Sequence, residues 1–183
     1  MKNANCHRII LITGPKHSGK SLAARALEEL TGGAVFDLDD RIEKDTGRTP
    51  REIYKESAEL FRKAEEQALA SLLQLNEGPA VRIIAAGGGL ADNSKALALL
   101  SAPLLQKMEV FIVYLELSAE TAWRRIVHAA PELPPFLNTE NPKETHKVLH
   151  ERRAKAYKAL AHLTVTAEDK SPEEIAGEIA RFL

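Results

Sequence analysis

Eight consecutive residues, Gly14, Pro15, Lys16, His17, Ser18, Gly19, Lys20 and Ser21, constrain the fold more than any other stretch of the chain. They fit the pattern GxxxxGK[ST], with the apolar run Ile9-Ile10-Leu11-Ile12 before them and a helical spacing over residues 22–30 after them. The glycines at the two ends let the backbone adopt positive φ and turn its N–H groups inward, onto phosphate oxygens. A helix that begins where the loop ends adds the positive end of its dipole. Lys20 then reaches the terminal phosphates and Ser21 the Mg²⁺ that travels with them, while Gly14, Lys16, Ser18 and Gly19 shape the cradle. An ordinary strand-turn-helix corner is the competing reading, and the combination of lysine, serine and flanking context argues against it.

Beyond the loop, short apolar runs alternate with helical patterns. Strands are expected at 34–36, 80–85, 110–115 and 163–166, in addition to 8–13. Helices are expected at 41–46, from Thr49-Pro50 onward, over 57–75, from Asp92-Asn93-Ser94 to 101, over 118–130, over 141–161, and from the capping box at Ser171-Pro172-Glu173-Glu174. In the 57–75 segment Leu60, Phe61, Ala64, Ala68, Leu72 and Leu75 keep helical spacing, and Gly78-Pro79 ends it. Strict alternation predicts an α/β fold: a three-layer sandwich on a parallel sheet of about five strands, with right-handed crossovers, as in P-loop kinases of the nucleoside-monophosphate-kinase type. Residues 1–183 read as a single domain. The proline-rich run from Pro131 to Leu137 cannot be regular helix and predicts a lid loop over roughly 127–141.

Composition narrows the partners. A net charge of -1 gives no basic face for nucleic acid. No apolar run is long enough to span a bilayer, and the first residues lack the apolar core of a leader, so no membrane role and a cytoplasmic location are expected. The single cysteine, Cys6, excludes an internal disulfide and reads as incidental. A monomer is expected, since no long apolar face is evident.

In parallel α/β sheets, ligands sit at the carboxyl ends of the strands. Three features fall there: the phosphate loop, the acids Asp37 and Asp39, and the triple glycine Gly87, Gly88 and Gly89. On an extended strand end Asp37 and Asp39 point the same way, one suited to a metal and the other to an acceptor hydroxyl; helix capping by Asp39 or Asp40 is the alternative. Arg62 and Glu65 form an i, i+3 pair whose plainest role is a surface ion pair. Arg152, Arg153, Lys155 and Lys158 make a basic helix face, and Arg124 with Arg125 another. His128, His146 and His150 lack metal-ligand spacing and read as surface residues.

Taken together, these residues resemble the shikimate kinase family. The resemblance rests on the phosphate loop, Phe36-Asp37-Leu38-Asp39 with Ile42-Glu43 and Gly47, Glu52-Ile53-Tyr54, Phe61-Arg62 with Glu65, the triple glycine, Val113-Tyr114-Leu115, Arg125, and Arg153 four residues before Tyr157. It implies ATP- and Mg²⁺-dependent phosphorylation of the 3-hydroxyl of shikimate, a small-molecule substrate. By resemblance, Arg62 and Arg153 grip the acceptor carboxylate, Asp39 holds its hydroxyls and is catalytic with Lys20, and Gly87, Gly88 and Gly89 complete the pocket. Glu65 positions Arg62; Ser21 and Asp37 serve Mg²⁺; Arg125, Lys170 and Pro172 lie at the adenine end. The sequence departs from the family twice. Pro134 stands where the family's lid carries an arginine, and Ser57-Ala58 replaces Gly-Glu. Two alternatives stay open: a kinase of another hydroxylated carboxylic acid, or, because of the first departure, a weakly active nucleotide-binding paralogue.

Overall fold

The computed structural model describes residues 7–73, 79–100, 108–129 and 132–183. In order they form β1 (His7–Thr13), α1 (Lys20–Thr31), β2 (Ala34–Asp37), α2 (Leu38–Thr46), α3 (Pro50–Glu56), α4 (Ala58–Leu73), β3 (Val81–Ala85), a 3₁₀ turn (Leu90–Asp92), α5 (Ser94–Leu99) and β4 (Met108–Glu116). There follow α6 (Ala119–Ala129), a second 3₁₀ turn (Pro135–Leu137), α7 (Pro142–Leu160), β5 (Leu163–Thr166) and α8 (Pro172–Ala180). The five strands make one parallel sheet in the order β2-β3-β1-β4-β5.

β1 lies at the centre, which explains its unbroken apolar run: Ile9, Ile10, Leu11 and Ile12 are all fully buried. Alternation along the strand sends them to two different cores. Ile10 and Ile12 pack with Ala23 and Leu27 of α1 and Ile175 and Ile179 of α8. Ile9 and Leu11 pack on the other face with Leu38 and Ile42 of α2 and Leu69 and Leu72 of α4. Helices thus cover both faces, as the alternating sequence requires.

Register decides which loops meet. β1 and β3 are neighbours with Ile12 beside Ala85, and β3 pairs with β2 with Asp37 beside Ala85. The phosphate loop, the β2 acids and the triple glycine therefore leave the sheet side by side at its carboxyl edge.

Helix termini match the expected signals in detail. Thr49 with Glu52 and Ser171 with Glu174 form complete capping boxes, each followed by proline at the first turn. Two local expectations change. α2 begins at Leu38 rather than Arg41, because the Asp37 side chain accepts the Asp39 N–H and caps the helix at once. Asp37 and Asp39 therefore do not share an extended strand end, and the cap is Asp37, not Asp39 or Asp40. His146 is not a surface residue: it is 5% exposed, tilted against the rings of Trp123 and His150. Cys6, Leu75, Gly78, Ser101, Ala130 and Pro131, invoked above, lie outside the described residues.

Leu27 is fully buried between the sheet and α8. Leu27→Ala is expected to cost about 2–5 kcal/mol of stability, read from urea unfolding, with the range set by how far the layer collapses.

Candidate active site

The phosphate loop has the strained, inward-curled form its motif predicts. Gly14 has φ 151° and Gly19 φ 92°. A Cβ on Gly14 would lie 2.7 Å from the Leu115 carbonyl and 2.9 Å from Ser18 Oγ, so glycine is required there by space as well as torsion. His17 adopts φ 60° without being glycine, a strain on the order of 1 kcal/mol that surrounding contacts must hold. Arg125 supplies one: it donates to His17 O at 3.1 Å and to Glu168 O at 3.0 Å, tying the loop to the turn before α8.

Lys20 Nζ donates to Pro15 O at 2.8 Å and Gly14 O at 3.2 Å. Burial lowers its ammonium to about 8, with Asp39 and Asp37 pulling the other way. Ser21 Oγ donates to Asp37 Oδ2 at 2.9 Å, while Asp37 Oδ1 takes the Asp39 N–H. A hydroxyl joined to a carboxylate is an all-oxygen pair that fits Mg²⁺ held largely by substrate phosphates and water. No cluster of three or more acidic, His or Cys side chains suited to a metal exists among the described residues.

These groups open into a cleft of about 560 Å³, large enough for a small-molecule ligand. Its donor side holds Lys16, Lys20, Ser21 and Asp37; its far side holds Asp39, Glu65, Gly87, Gly88, Gly89 and Arg153, walled by Tyr54, Phe61 and Phe136. Asp39 is open to the cleft's solvent yet flanked closely by protein. Its carboxyl is held above the usual range, first by desolvation and then by Asp37, with Lys20 and Lys16 opposing. Arg153 makes two hydrogen bonds to Asp92 Oδ2, at 2.7 and 2.9 Å, and lies 5.1 Å from the Phe136 ring centroid.

The triple glycine is where the two sides touch. A Cβ on Gly88 would lie 3.1 Å from Gly14 O and 3.1 Å from Lys16 N; one on Gly87 would lie 3.3 Å from Asp39 Oδ1 and 3.7 Å from Glu65 Oε1. Side chains at these positions would fill the space between donor and acceptor groups.

Several expected residues stand elsewhere. Arg62 is exposed and outside the cleft, and Glu65 does not pair with it; Glu65 is 1% exposed and bonded instead to Asn93, whose Nδ2 donates to Glu65 Oε2 at 2.9 Å and to Arg62 O at 2.8 Å. The i, i+3 spacing permitted the pair, but burial of Glu65 beneath α5 separates the charges. Arg125, Lys170 and Pro172 do not line the cleft: Arg125 spends its donors on backbone, Lys170 pairs with Glu178 at 2.6 Å, and Pro172 opens α8. Conversely, Arg51 was not anticipated. It lines the cleft, and its Nη2 donates to Glu132 Oε2 at 2.6 Å and Leu133 O at 3.3 Å, placing a guanidinium beside the cation-free proline run. Only tertiary packing of α3 on that run reveals it.

Burial, opposed by the Asn93 hydrogen bond, raises Glu65 to about 7 from 4.5. Across that interval the folded chain retains a proton that the unfolded chain has released, so stability falls as pH rises. Glu65→Gln removes this slope. Its stability relative to the native sequence is expected to improve by up to roughly 3 kcal/mol between about pH 5 and 8 in urea titrations; a pH-independent difference would contradict the assignment.

With the geometry in view, comparison with known proteins is specific. The family model described as Shikimate kinase matches residues 16–183. The shikimate kinase of Lactococcus lactis is 34% identical over 171 residues, covering 93% of this chain and 94% of that relative. That of Salinispora arenicola is 33% identical over 178 residues, covering 96% and 97%. Among solved structures, shikimate kinase from Acinetobacter baumannii in complex with shikimate superposes with a TM-score of 0.80 at 28% identity, covering 95% of this chain and 91% of that one. A deoxyadenosine kinase from M. mycoides, at 15% identity and TM-score 0.63, shares the fold alone. Phosphate loop, acceptor-side acids and arginine thus sit in a scaffold matched along nearly its whole length, and the chain belongs to the shikimate kinase family.

Proposed function

We propose that this chain transfers the γ-phosphoryl group of ATP to the 3-hydroxyl of shikimate. The observation that carries the reading is the contact at Gly88, which sets the phosphate loop against the cleft wall holding Asp39 and Arg153. Phosphoryl transfer is mainly a matter of positioning and of cations around the moving group, and this cleft offers both within one small volume.

The roles follow from the chemistry of the side chains. Loop N–H groups and Lys20 hold the phosphates, and Ser21 with Asp37 would hold Mg²⁺, which neutralises charge on the transferring phosphates. Arg153, partly buried and backed by Asp92, is suited to bind the acceptor carboxylate as a planar fork. Asp39 orients the attacking hydroxyl. As the new P–O bond forms and the bond to ADP breaks, the hydroxyl proton passes to Asp39, whose raised proton affinity favours the transfer. Arg62, exposed on α4, does not line the cleft here. The proline run, held to α3 through Arg51, would act as the lid that excludes water. We further propose a cytoplasmic monomer; no helix among the described residues is long and apolar enough to cross a membrane.

Purified protein with ATP and Mg²⁺ is expected to release ADP in a coupled assay only when shikimate is added; absence of that dependence at millimolar shikimate contradicts the reading. Asp39→Asn is expected to lower kcat by about 10²–10⁴-fold while leaving the KM for ATP within about threefold, the pattern of a group acting in the transition state.

A further inference from the structure

The basic side chains lining the cleft are Lys16, His17, Lys20, Arg51 and Arg153. Burial, then Lys16, Lys20 and Arg125, hold His17 below its ordinary range, which leaves it uncharged near neutral pH. Three of the four remaining cations are committed. Lys20 is the lysine the phosphate motif demands, and it donates to Gly14 O and Pro15 O. Arg51 is tied to Glu132 Oε2 and Leu133 O, and Arg153 to Asp92. Lys16 alone has no hydrogen-bond or ion-pair partner for its ammonium among the described residues. The motif does not account for it, since GxxxxGK[ST] leaves the third position unspecified.

The place of Lys16 in the cleft does account for it. Its backbone nitrogen lies 3.1 Å from where a Cβ on Gly88 would stand, at the point where the phosphate loop meets the triple glycine. Lys16, Gly88, Phe136 and Arg153 border both the cleft and a smaller cavity of about 30 Å³ beside it, so the residue stands on the seam between donor and acceptor sides. Its charge is felt on each side. Lys20, lowered first by burial, is lowered further by Lys16; Asp39, raised first by burial, is drawn back by Lys20 and then by Lys16. A phosphoryl group passing from ATP to a hydroxyl at Asp39 crosses this seam with negative charge spread over its equatorial oxygens, and a cation placed there stabilises it. The proline run from Leu133 to Leu137 contains no cation of its own. Lysine suits the position, because its ammonium is a compact charge on a flexible stem that can follow the moving group.

We propose that Lys16 is a further catalytic residue, whose ammonium donates to a non-bridging oxygen of the γ-phosphoryl group as that group passes to the acceptor. The bond from the γ-phosphorus to the bridging oxygen breaks, with its electron pair leaving on ADP. The acceptor oxygen bonds to the same phosphorus and its proton goes to Asp39, while Lys16 keeps its own protons throughout. This rests on the reading of the chain as an ATP-dependent shikimate kinase. It separates two lysines of one loop: Lys20 binds the phosphates before and during transfer, and Lys16 acts on the group in flight.

The test compares native protein, Lys16→Met and Lys16→Arg. Single-turnover transfer from ATP to saturating shikimate is followed by rapid quench, and ATP affinity is measured by calorimetry. Lys16→Met is expected to slow transfer by about 10²–10³-fold, the loss typical of removing one donor to a developing charge. Its ATP affinity and its KM for shikimate are expected to stay within about threefold of native, the pattern of an interaction made in the transition state. Lys16→Arg, which keeps the charge, is expected to recover transfer to within about tenfold of native. Transfer by Lys16→Met within about threefold of native overturns the inference. So does a loss confined to ATP affinity, which makes Lys16 a ground-state anchor, and so does an equal loss in Lys16→Arg, which assigns the effect to loop shape. If native protein shows no shikimate-dependent transfer, the shikimate reading fails and this inference with it; native transfer matched by Lys16→Met removes this inference alone.

Discussion

Everything in this site depends on how closely two loops can approach at the carboxyl edge of the sheet. β1 and β3 are adjacent and parallel, so the chain leaves both strands at the same level, into the phosphate loop on one side and the triple glycine on the other. Gly88 stands against Gly14 O and Lys16 N so closely that a methyl group would sit 3.1 Å from each. That contact joins a generic nucleotide-phosphate cradle to a specific acceptor pocket. The acids and arginine of the pocket are then placed by short structural distances from the same point: Asp39 by the helix that Asp37 caps, and Arg153 by Asp92, three residues past the last glycine.

Much of this was legible in the sequence because it is local. The phosphate loop requires positive φ at fixed positions and a lysine at a fixed offset, and both occur as the motif demands. The cap at Thr49 with Pro50 behind it and the capping box at Ser171 predicted their helices for the same reason: donor and acceptor lie within three residues of each other. Apolar runs flanked by helical periodicity gave five parallel strands, since a strand buried on both faces has no polar side to show. Convergence of Asp39, the triple glycine and Arg153 could be anticipated from strand ends and from the family resemblance together.

What was not legible is set by packing between distant segments. Spacing alone pairs Glu65 with Arg62, but the cover of α5 over α4 buries the acid and leaves the arginine outside, exchanging a charge partner for the Asn93 amide. Arg51 carries no motif; only the docking of the proline run onto α3 brings its guanidinium beside the segment that lacks one. Similarly, Arg125 bonds the carbonyl of the strained His17 and does not line the cleft. In each case a long side chain had several partners within reach, and the sequence does not rank them.

One glycine contact joins the phosphate loop to the cleft's far side. Gly88→Ala measures this most directly. Its neighbours at 3.1 Å are backbone atoms of the phosphate loop, which must shift to admit a methyl group. Calorimetric titration of the variant should show ATP and shikimate affinities both weakened, by about tenfold or more each, in a protein that still unfolds cooperatively. Weakening of one ligand with the other unchanged, or no effect on either, would contradict the claim that this contact organises the site.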